Sequence, residues 1–182
     1  MADEPVIRNR YIEDTPRIDP AAFVAESADL IGAVTVGKQA SIWFRAVVRA
    51  DDEPITIGEG TNLQDGTIVH IDPGSPTFFG KHVTVAHGAI VHGARIDDYV
   101  MISIGAIVLS GAEIGSNSII AAGAVVMEGM VIPPDSLVVG IPGRVIKSVS
   151  EEQSARIKST AEVYIDRGRR YAALRDKRSR DL

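Results

Sequence analysis

The sequence predicts an all-β solenoid, a parallel β-helix of hexapeptide repeats, followed by one α-helix. Aliphatic side chains recur at every sixth residue, a period that neither an α-helix nor a single strand produces. Such repeats are typical of a parallel β-helix, in which short strands form triangular coils that stack around a continuous core. After the last repeat the apolar spacing becomes helical. The aliphatic series comprises Ile90, Ile96, Ile102, Val108, Ile114, Ile120, Val126, Ile132 and Val138, preceded by Val24, Leu30, Val36, Ile42 and Val48.

Three segments are expected along the chain. Residues 1–20 are polar and interrupted by prolines, which predicts an irregular lead-in. The β-helix is expected over residues 21–147. A C-terminal helix is expected over residues 150–178, because Ser150 and Gln153 have the spacing of a capping box. An apolar stripe at helical spacing supports this helix, with Ile157, Ala161, Tyr164, Ile165, Tyr171 and Leu174 as its members.

The composition sets bounds on function. The chain has 182 residues, 45% hydrophobic and only 5% aromatic, which indicates one domain with a core of small aliphatic side chains. It has no cysteine, which excludes a thiolate metal site and a cysteine nucleophile. The net charge of -5 argues against a nucleic-acid partner. Neither a signal peptide nor a membrane-spanning stretch is recognisable, so a cytoplasmic protein without membrane partners is expected.

Two insertions interrupt the period of six. Three extra residues lie between Val48 and Ile57, within residues 51–54. Four extra residues lie between Val69 and Phe79, within residues 72–77. Insertions into a solenoid are extruded as surface loops, and such loops often carry function. Both are expected to flank the same part of the coil.

The period also predicts which histidines lie above one another. Val69 and Val91 are inward-facing anchors one coil apart, and His70 and His92 each follow their anchor by one residue. The two imidazoles should therefore occupy equivalent places in neighbouring coils, about 4.8 Å apart. Side chains at that separation can chelate one metal ion through their ring nitrogens.

A third histidine is expected on a different face. His87 lies one face earlier, near a corner, where it cannot reach the ion bound by the other two in its own chain. It could reach a neighbouring subunit's ion around a threefold axis. The spacing thus predicts a three-histidine metal site shared between two chains, with His82 as an ordinary corner residue. Polar residues stacked below suit the orientation of ligands and the binding of a small polar substrate, namely Arg49, Asp51, Asn62, Gln64 and Asp65.

Around these residues the chain resembles the γ-class carbonic anhydrases and their wider family. The resemblance implies a left-handed β-helix with the C-terminal helix packed alongside, assembled as a homotrimer. It implies zinc as the metal, with Fe²⁺ or Co²⁺ in some members. The matching stretches are Ser41-Ile42-Trp43-Phe44, Val48-Arg49-Ala50-Asp51, Thr61-Asn62-Leu63-Gln64-Asp65-Gly66, Val69-His70, Ala86-His87-Gly88-Ala89-Ile90-Val91-His92-Gly93 and Val138-Val139-Gly140-Ile141-Pro142.

The same resemblance assigns roles to single residues. It implies that His70 and His92 of one subunit and His87 of the next bind the metal. It also implies an intersubunit ion pair of Arg49 with Asp51, places Gln64 and Asn62 near the water on the metal, and makes Asp52 an active-site acid. The chain departs from the best-studied members in its second insertion, which has Asp72 but lacks the glutamate that they use as a proton shuttle.

Three functions are compatible with these features. The first is a zinc carbonic anhydrase that converts CO2 to bicarbonate, because a zinc ion held by three histidines lowers the pKa of bound water toward about 7. In it Gln64 would orient the nucleophile, and Asp52 or buffer would take the proton. The second is a CoA acyltransferase of the hexapeptide class, or a metal-dependent hydrolase of CoA thioesters. The third is a non-catalytic trimeric metal-binding scaffold.

Overall fold

The computed structural model describes residues 10–178 of the chain. One long helix, α1, spans Glu151–Arg178 and follows a series of short strands. In chain order the strands are β1 (Arg17–Ile18), β2 (Phe23–Val24), β3 (Asp29–Val36), β4 (Ser41–Ile42), β5 (Val47–Ile57), β6 (Asn62–Leu63), β7 (Ile68–His70), β8 (Thr77–Phe79), β9 (Thr84–Val85), β10 (Ile90–His92), β11 (Arg95–Ile96), β12 (Met101–Ile102), β13 (Ile107–Val108), β14 (Glu113–Ile114), β15 (Ile119–Ile120), β16 (Val125–Val126), β17 (Val131–Ile132), β18 (Ser136–Val139) and β19 (Arg144–Ser148).

The strands form a three-sided parallel β-helix of about seven turns. The histidine side contains, in order, β5, β7, β10, β13 and β16. The helix side contains β2, β4, β6, β9, β12, β15 and β18. On the third side β5 continues into β8, β11, β14 and β17, because β3 and β5 are long enough to pass round a corner. The predicted solenoid with a C-terminal helix is confirmed.

The core consists of stacked aliphatic side chains. On the histidine side Val48 pairs with Val69, Val69 with Val91, and Val91 with Val108, so that each valine lies directly above the last. All four are fully buried. Side chains alternate along a strand, so the residues before and after each valine face outward. Ile68 and His70 are therefore both on the outer face of β7.

Helix α1 covers the lower part of the helix side, where it contacts β2, β4, β6 and β9. The capping box is formed as predicted: the Ser150 amide donates to Gln153 Oε1 at 3.0 Å, and the Gln153 amide donates to Ser150 Oγ at 3.2 Å. Ile157 and Ala161 are buried as expected. Leu174 is not, since 55% of it is exposed, so the buried stripe of the helix is shorter than its sequence pattern indicates.

Both ends of the β-helix differ from the expected pattern. β1 lies within the segment expected to be irregular and pairs with β3, because a two-residue strand is too short to give a periodic signal. At the other end β19 turns back and pairs antiparallel with β18. Within residues 10–178 no helix has the length and apolarity required to cross a membrane.

The two insertions lie where the period places them, but the first is not a separate loop. Ala33 alone faces residues 51–54 in the β3–β5 pairing, which gives three extra residues, yet these remain extended within β5. The second is a loop, closed by a bridge between Asp72 and Ser75. The expectation of two extruded loops is therefore wrong for residues 51–54, because the strand there continues through the insertion.

Candidate functional site

His70 and His92 lie side by side on the outer face of the histidine side. They are paired in register at the ends of β7 and β10, as the spacing predicts. Nδ1 of His70 is 3.0 Å from Nε2 of His92, and the ring centroids are 5.0 Å apart. The two ring nitrogens thus point at one another.

The other nitrogen of each ring has its own partner. Nε2 of His70 lies 3.0 Å from Asp51 Oδ1, and Nδ1 of His92 lies 2.9 Å from Ser110 Oγ. A carboxylate can only accept hydrogen bonds, so the proton of a neutral His70 ring is on Nε2 and its lone pair is on Nδ1. The lone pair of His70 consequently faces His92.

Asp51 is fixed from two directions. It accepts a hydrogen bond from His70, and its second carboxylate oxygen accepts one from Nη1 of Arg49, two residues away on the same face of β5. Burial raises the pKa of Asp51. The hydrogen bonds from His70, its own backbone and Arg49, together with the charge of Arg49, lower the pKa by more than burial raises it, so the net pKa is below the ordinary value. The ion pair that the resemblance assigns to a subunit boundary is formed here within one chain.

A metal cation fits this arrangement. Two facing ring nitrogens are satisfied when a cation or a proton lies between them, and a ring whose distal nitrogen is held by an acceptor is the usual form of a metal-binding histidine. Imidazole nitrogens suit Zn²⁺ and other late first-row metals. Among the residues described, no cluster of three His, Cys, Asp or Glu side chains could hold a metal ion. His87 therefore does not join the pair within the chain.

His87 is on the corner between the helix side and the histidine side. It precedes Gly88, whose φ of 66° is in the left-handed region that glycine adopts without strain. Asp65 stands in the equivalent place one coil below, and the Gly88 amide donates to its carbonyl at 3.1 Å. The Asp65 carboxylate Oδ2 lies 3.0 Å from Nδ1 of His87. About half of the His87 side chain is exposed, so the ring is accessible to a partner.

An aromatic cleft of about 520 Å³ opens beside His87. Arg167 of α1 lies over the ring of Tyr164, with its Cζ 5.1 Å from the ring centroid. Burial raises the pKa of the Tyr164 phenol, the charge of Arg167 opposes this and that of Asp65 adds to it, so the net pKa is raised. The phenol is thus a neutral hydroxyl at neutral pH. The cleft is lined by Trp43, Phe44, Asp65, His87, Tyr164, Arg167 and Tyr171.

Asn62 and Gln64 are joined by a hydrogen bond. Gln64 Nε2 donates to Asn62 Oδ1 at 3.1 Å, while Asn62 Nδ2 donates to Thr84 Oγ1 at 2.9 Å and to the Val83 carbonyl at 3.3 Å. Asn62 is fully buried in the wall beneath α1, so its position favours anchoring Gln64 over contact with a substrate. Gln64 directly precedes Asp65, which contacts His87, so Gln64 lies near the corner that carries His87.

Asp52 and His82 make no side-chain hydrogen bond to His70, His87 or His92 within residues 10–178. Asp52 Oδ1 is buried and has no hydrogen-bond partner among residues 10–178. An unpaired buried carboxylate oxygen is unfavourable, which suits a group that is completed by water, substrate or another chain. His82 sits at a corner with a φ of 55° and stacks on Tyr99, with ring centroids 5.0 Å apart.

Two residues near the histidines have no counterpart in the predicted site. Ser110 contacts His92, and Glu53 Oε1 accepts a hydrogen bond from the Gly74 amide at 3.0 Å, which joins the two insertions. Ser110 could have been found by the stacking argument, because Val108 pairs with Val91 and so places Ser110 above the residue that follows His92. The expected closeness of the two insertions is consistent with the contact of Glu53, but the sequence does not single out this residue.

Comparison with known proteins agrees with the predicted fold and with the family resemblance. Residues 93–127 match the family "Hexapep: Bacterial transferase hexapeptide (six repeats)". A Methanocaldococcus jannaschii protein named "Probable carbonic anhydrase" is 50% identical over 142 residues, which cover 78% of this chain and 89% of that protein. The carbonic anhydrase of Geobacillus kaustophilus is 38% identical over 169 residues, 93% of each protein.

Among solved structures, the product of the BC4754 gene of Bacillus cereus, provisionally described as an acetyltransferase, superimposes with a TM-score of 0.88. It is 37% identical, and the match covers 90% of this chain and 95% of that one. A protein with a transferase name thus shares this fold at an identity similar to that of the Geobacillus carbonic anhydrase, and the relatives that match over most of their length include carbonic anhydrases. The chain belongs to the γ-carbonic-anhydrase family.

Proposed function

We propose that this protein hydrates CO2 to bicarbonate with a Zn²⁺ ion at each subunit boundary of a homotrimer. His70 and His92 of one chain and His87 of the next would hold the ion. The observation that carries the proposal is the pair of facing ring nitrogens of His70 and His92, 3.0 Å apart, each in a ring whose other nitrogen is already hydrogen-bonded.

The outer face of the histidine side supports an assembly of several chains. The helix side is partly covered by α1, and the third side carries charged residues such as Arg95 and Glu113. The histidine side has an apolar stripe, and 44% of its Ile68 is exposed. Apolar surface of this kind marks protein interfaces. The stripe consists of Val47, Ile68, Ile90, Ile107 and Val125, on the same strands as His70 and His92.

In the proposed reaction, a water oxygen bonds to the carbon of CO2 and one proton is released. A bound zinc ion would supply Lewis acidity, which makes water reactive near neutral pH. Asp51 and Ser110 hold the His70 and His92 rings in the orientation that leaves a lone pair for the ion. Asn62 holds the Gln64 amide nitrogen, which leaves Gln64 Oε1 free to accept a hydrogen bond from the reacting water. We assign the role of proton acceptor to Asp52 Oδ1 or to buffer.

The test is metal content per chain followed by stopped-flow CO2 hydration. Purified protein loaded separately with Zn²⁺, Fe²⁺ and Co²⁺ should bind one ion per chain and hydrate CO2 in at least one form. The His70→Ala variant should lose both properties. Hydration that persists in the metal-free protein would contradict the proposal.

The same experiment separates the alternatives. Full metal occupancy without hydration in any buffer would favour either hydrolysis of CoA thioesters or a non-catalytic metal-binding scaffold, and turnover of acyl-CoA would distinguish these two. Absence of metal binding together with acyl transfer from CoA would favour a hexapeptide acyltransferase.

A further inference from the structure

The loop after His70 is connected to the site by the side chain of Asp72. Ser110 Oγ donates to Asp72 Oδ2 at 2.5 Å, and the same Ser110 oxygen lies 2.9 Å from Nδ1 of His92. Asp72 Oδ2 is itself 3.5 Å from that ring nitrogen. Asp72, Ser110 and His92 therefore form a continuous hydrogen-bonded series.

The loop is held in place independently of this series. The Ser75 amide donates to the Asp72 carbonyl at 2.8 Å, which closes the turn. The Gly74 amide donates to Glu53 Oε1 at 3.0 Å, and Thr77 Oγ1 donates to the His70 carbonyl at 2.8 Å. These bonds fix the loop backbone at its tip and at its end, so the Asp72 carboxylate is presented to Ser110 in a defined position.

We propose that Asp72 is a positioning residue that sets the tautomer of His92 through Ser110. The inference rests on the proposed function, because it concerns a ligand of the proposed metal site. It gives the second insertion a role in preparing a metal ligand, in place of the proton shuttle that such a loop carries elsewhere in the family.

The number of protons that Ser110, Asp72 and His92 can donate determines the tautomer of His92. A serine hydroxyl has one proton, and a carboxylate has none to give. Ser110 therefore donates its proton to Asp72, and the serine oxygen can only accept from His92. The His92 proton is consequently on Nδ1, and its lone pair is on Nε2, the nitrogen that faces His70. Without Asp72, the Ser110 hydroxyl is free to donate to Nδ1, which would move the ring proton to Nε2 and block metal binding there.

Two single variants should differ in zinc affinity, and a double variant should restore part of the loss. In Asp72→Asn the amide can donate to Ser110, which releases the hydroxyl to donate to His92 and favours the wrong tautomer. The zinc affinity should fall about 10–100-fold, the usual effect of losing an outer-shell partner. In Ser110→Ala, Asp72 can accept directly from Nδ1, so the loss should be below about tenfold. The double variant Asp72→Ala/Ser110→Ala has no side-chain donor from either position beside Nδ1 and should bind zinc more tightly than Asp72→Asn alone.

The experiment combines zinc affinity, measured by competition with a chelator, with the histidine tautomer, measured by long-range ¹H–¹⁵N NMR on the zinc-free full-length protein. The spectrum of the unaltered protein should show Nδ1 of His92 protonated, and that of Asp72→Asn should show Nε2 protonated. Asp97→Asn is the matched control, because it removes the same charge from an aspartate paired with Arg95. It should change neither quantity.

The inference is overturned if Asp72→Asn binds zinc as tightly as the unaltered protein, or if its His92 keeps the proton on Nδ1. It is also overturned if the double variant is weaker than Asp72→Asn. Failure of the unaltered protein to bind zinc would instead refute the proposed function, and the tautomer measurement would then decide the role of Asp72 alone.

Discussion

The carboxylate Oδ2 of Asp65 lies 3.0 Å from Nδ1 of His87. Each histidine assigned to the metal site therefore has one ring nitrogen next to an oxygen from another part of the chain. The partners are Asp51 for His70, Ser110 for His92 and Asp65 for His87. His82 has a different environment, since it stacks on Tyr99. The oxygen contacts separate three histidines from the fourth without reference to relatives.

We expect Asp65→Asn to lower the zinc affinity of the full-length protein about tenfold or more. The asparagine amide can present a donor to Nδ1 and so favour the ring form with its proton on Nε2. Competition with a chelator measures the effect. Glu113→Gln, which removes a charge from the third side, is the control and should bind zinc normally; equal weakening in both variants would point to a general charge effect.

We expect His87→Ala to lose zinc as completely as His70→Ala, although the two side chains are on different sides of one chain. Each variant would remove one of the three proposed ligands. His82→Asn should retain one ion per chain, and asparagine is chosen because it tolerates the φ of 55° at that corner. Metal analysis after dialysis checks both variants. Retention of zinc by His87→Ala would mean that the third ligand is another group.

We expect Arg49→Ala to weaken the trimer more than the fold of the single chain. Arg49 is 44% exposed in the isolated chain, and an ion pair so open to water contributes only about 0–1 kcal/mol. A pair that becomes buried between subunits costs about 3–5 kcal/mol when one partner is removed. Sedimentation over a dilution series measures the change in assembly. Arg95→Ala is the control on the third side; a variant of Arg49 that stays trimeric at nanomolar protein would contradict an interfacial role.

We expect CO2 hydration to be slow in weak buffer and to rise with concentrated imidazole-type buffer. Fast turnover requires a proton acceptor within hydrogen-bond reach of the reacting water, or one water away. The Asp72 carboxylate is already bonded to Ser110, and Glu53 is bonded to Gly74. Stopped-flow rates at several buffer concentrations check this. Fast hydration that does not depend on buffer would show that an internal acceptor, with Asp52 as the first candidate, is sufficient.

The period of six was enough to predict the register of His70 and His92. It placed Val91 above Val69, and the pairing of His92 with His70 follows from that alone. The period also gives the correct number of extra residues in each insertion. It does not predict that residues 51–54 stay extended, because the backbone conformation of an insertion depends on the strands packed beside it.

Residues beneath α1 were harder to predict. Asn62 occupies an outward-facing place on its strand, and the period indicates exposure there, yet the helix covers it completely. Helix docking depends on the rings that gather around Trp43, including Phe23 and Tyr164 with centroids 5.1 and 5.4 Å away. Contacts between residues so far apart in sequence leave no periodic trace. The position of Ser110, in contrast, follows from the period of six, because the pairing of Val108 with Val91 places Ser110 next to His92.

The reversed direction of β19 affects how the end of the β-helix can associate with another molecule. A parallel β-helix that simply stopped at β18 would leave a row of unpaired amides and carbonyls, and another molecule could add its own first coil to that row. β19 occupies those groups with a strand of opposite direction, and a parallel coil cannot continue from it in register. On the helix side, the edge of the last coil is thereby closed to a further parallel strand, so end-to-end growth cannot continue from β18.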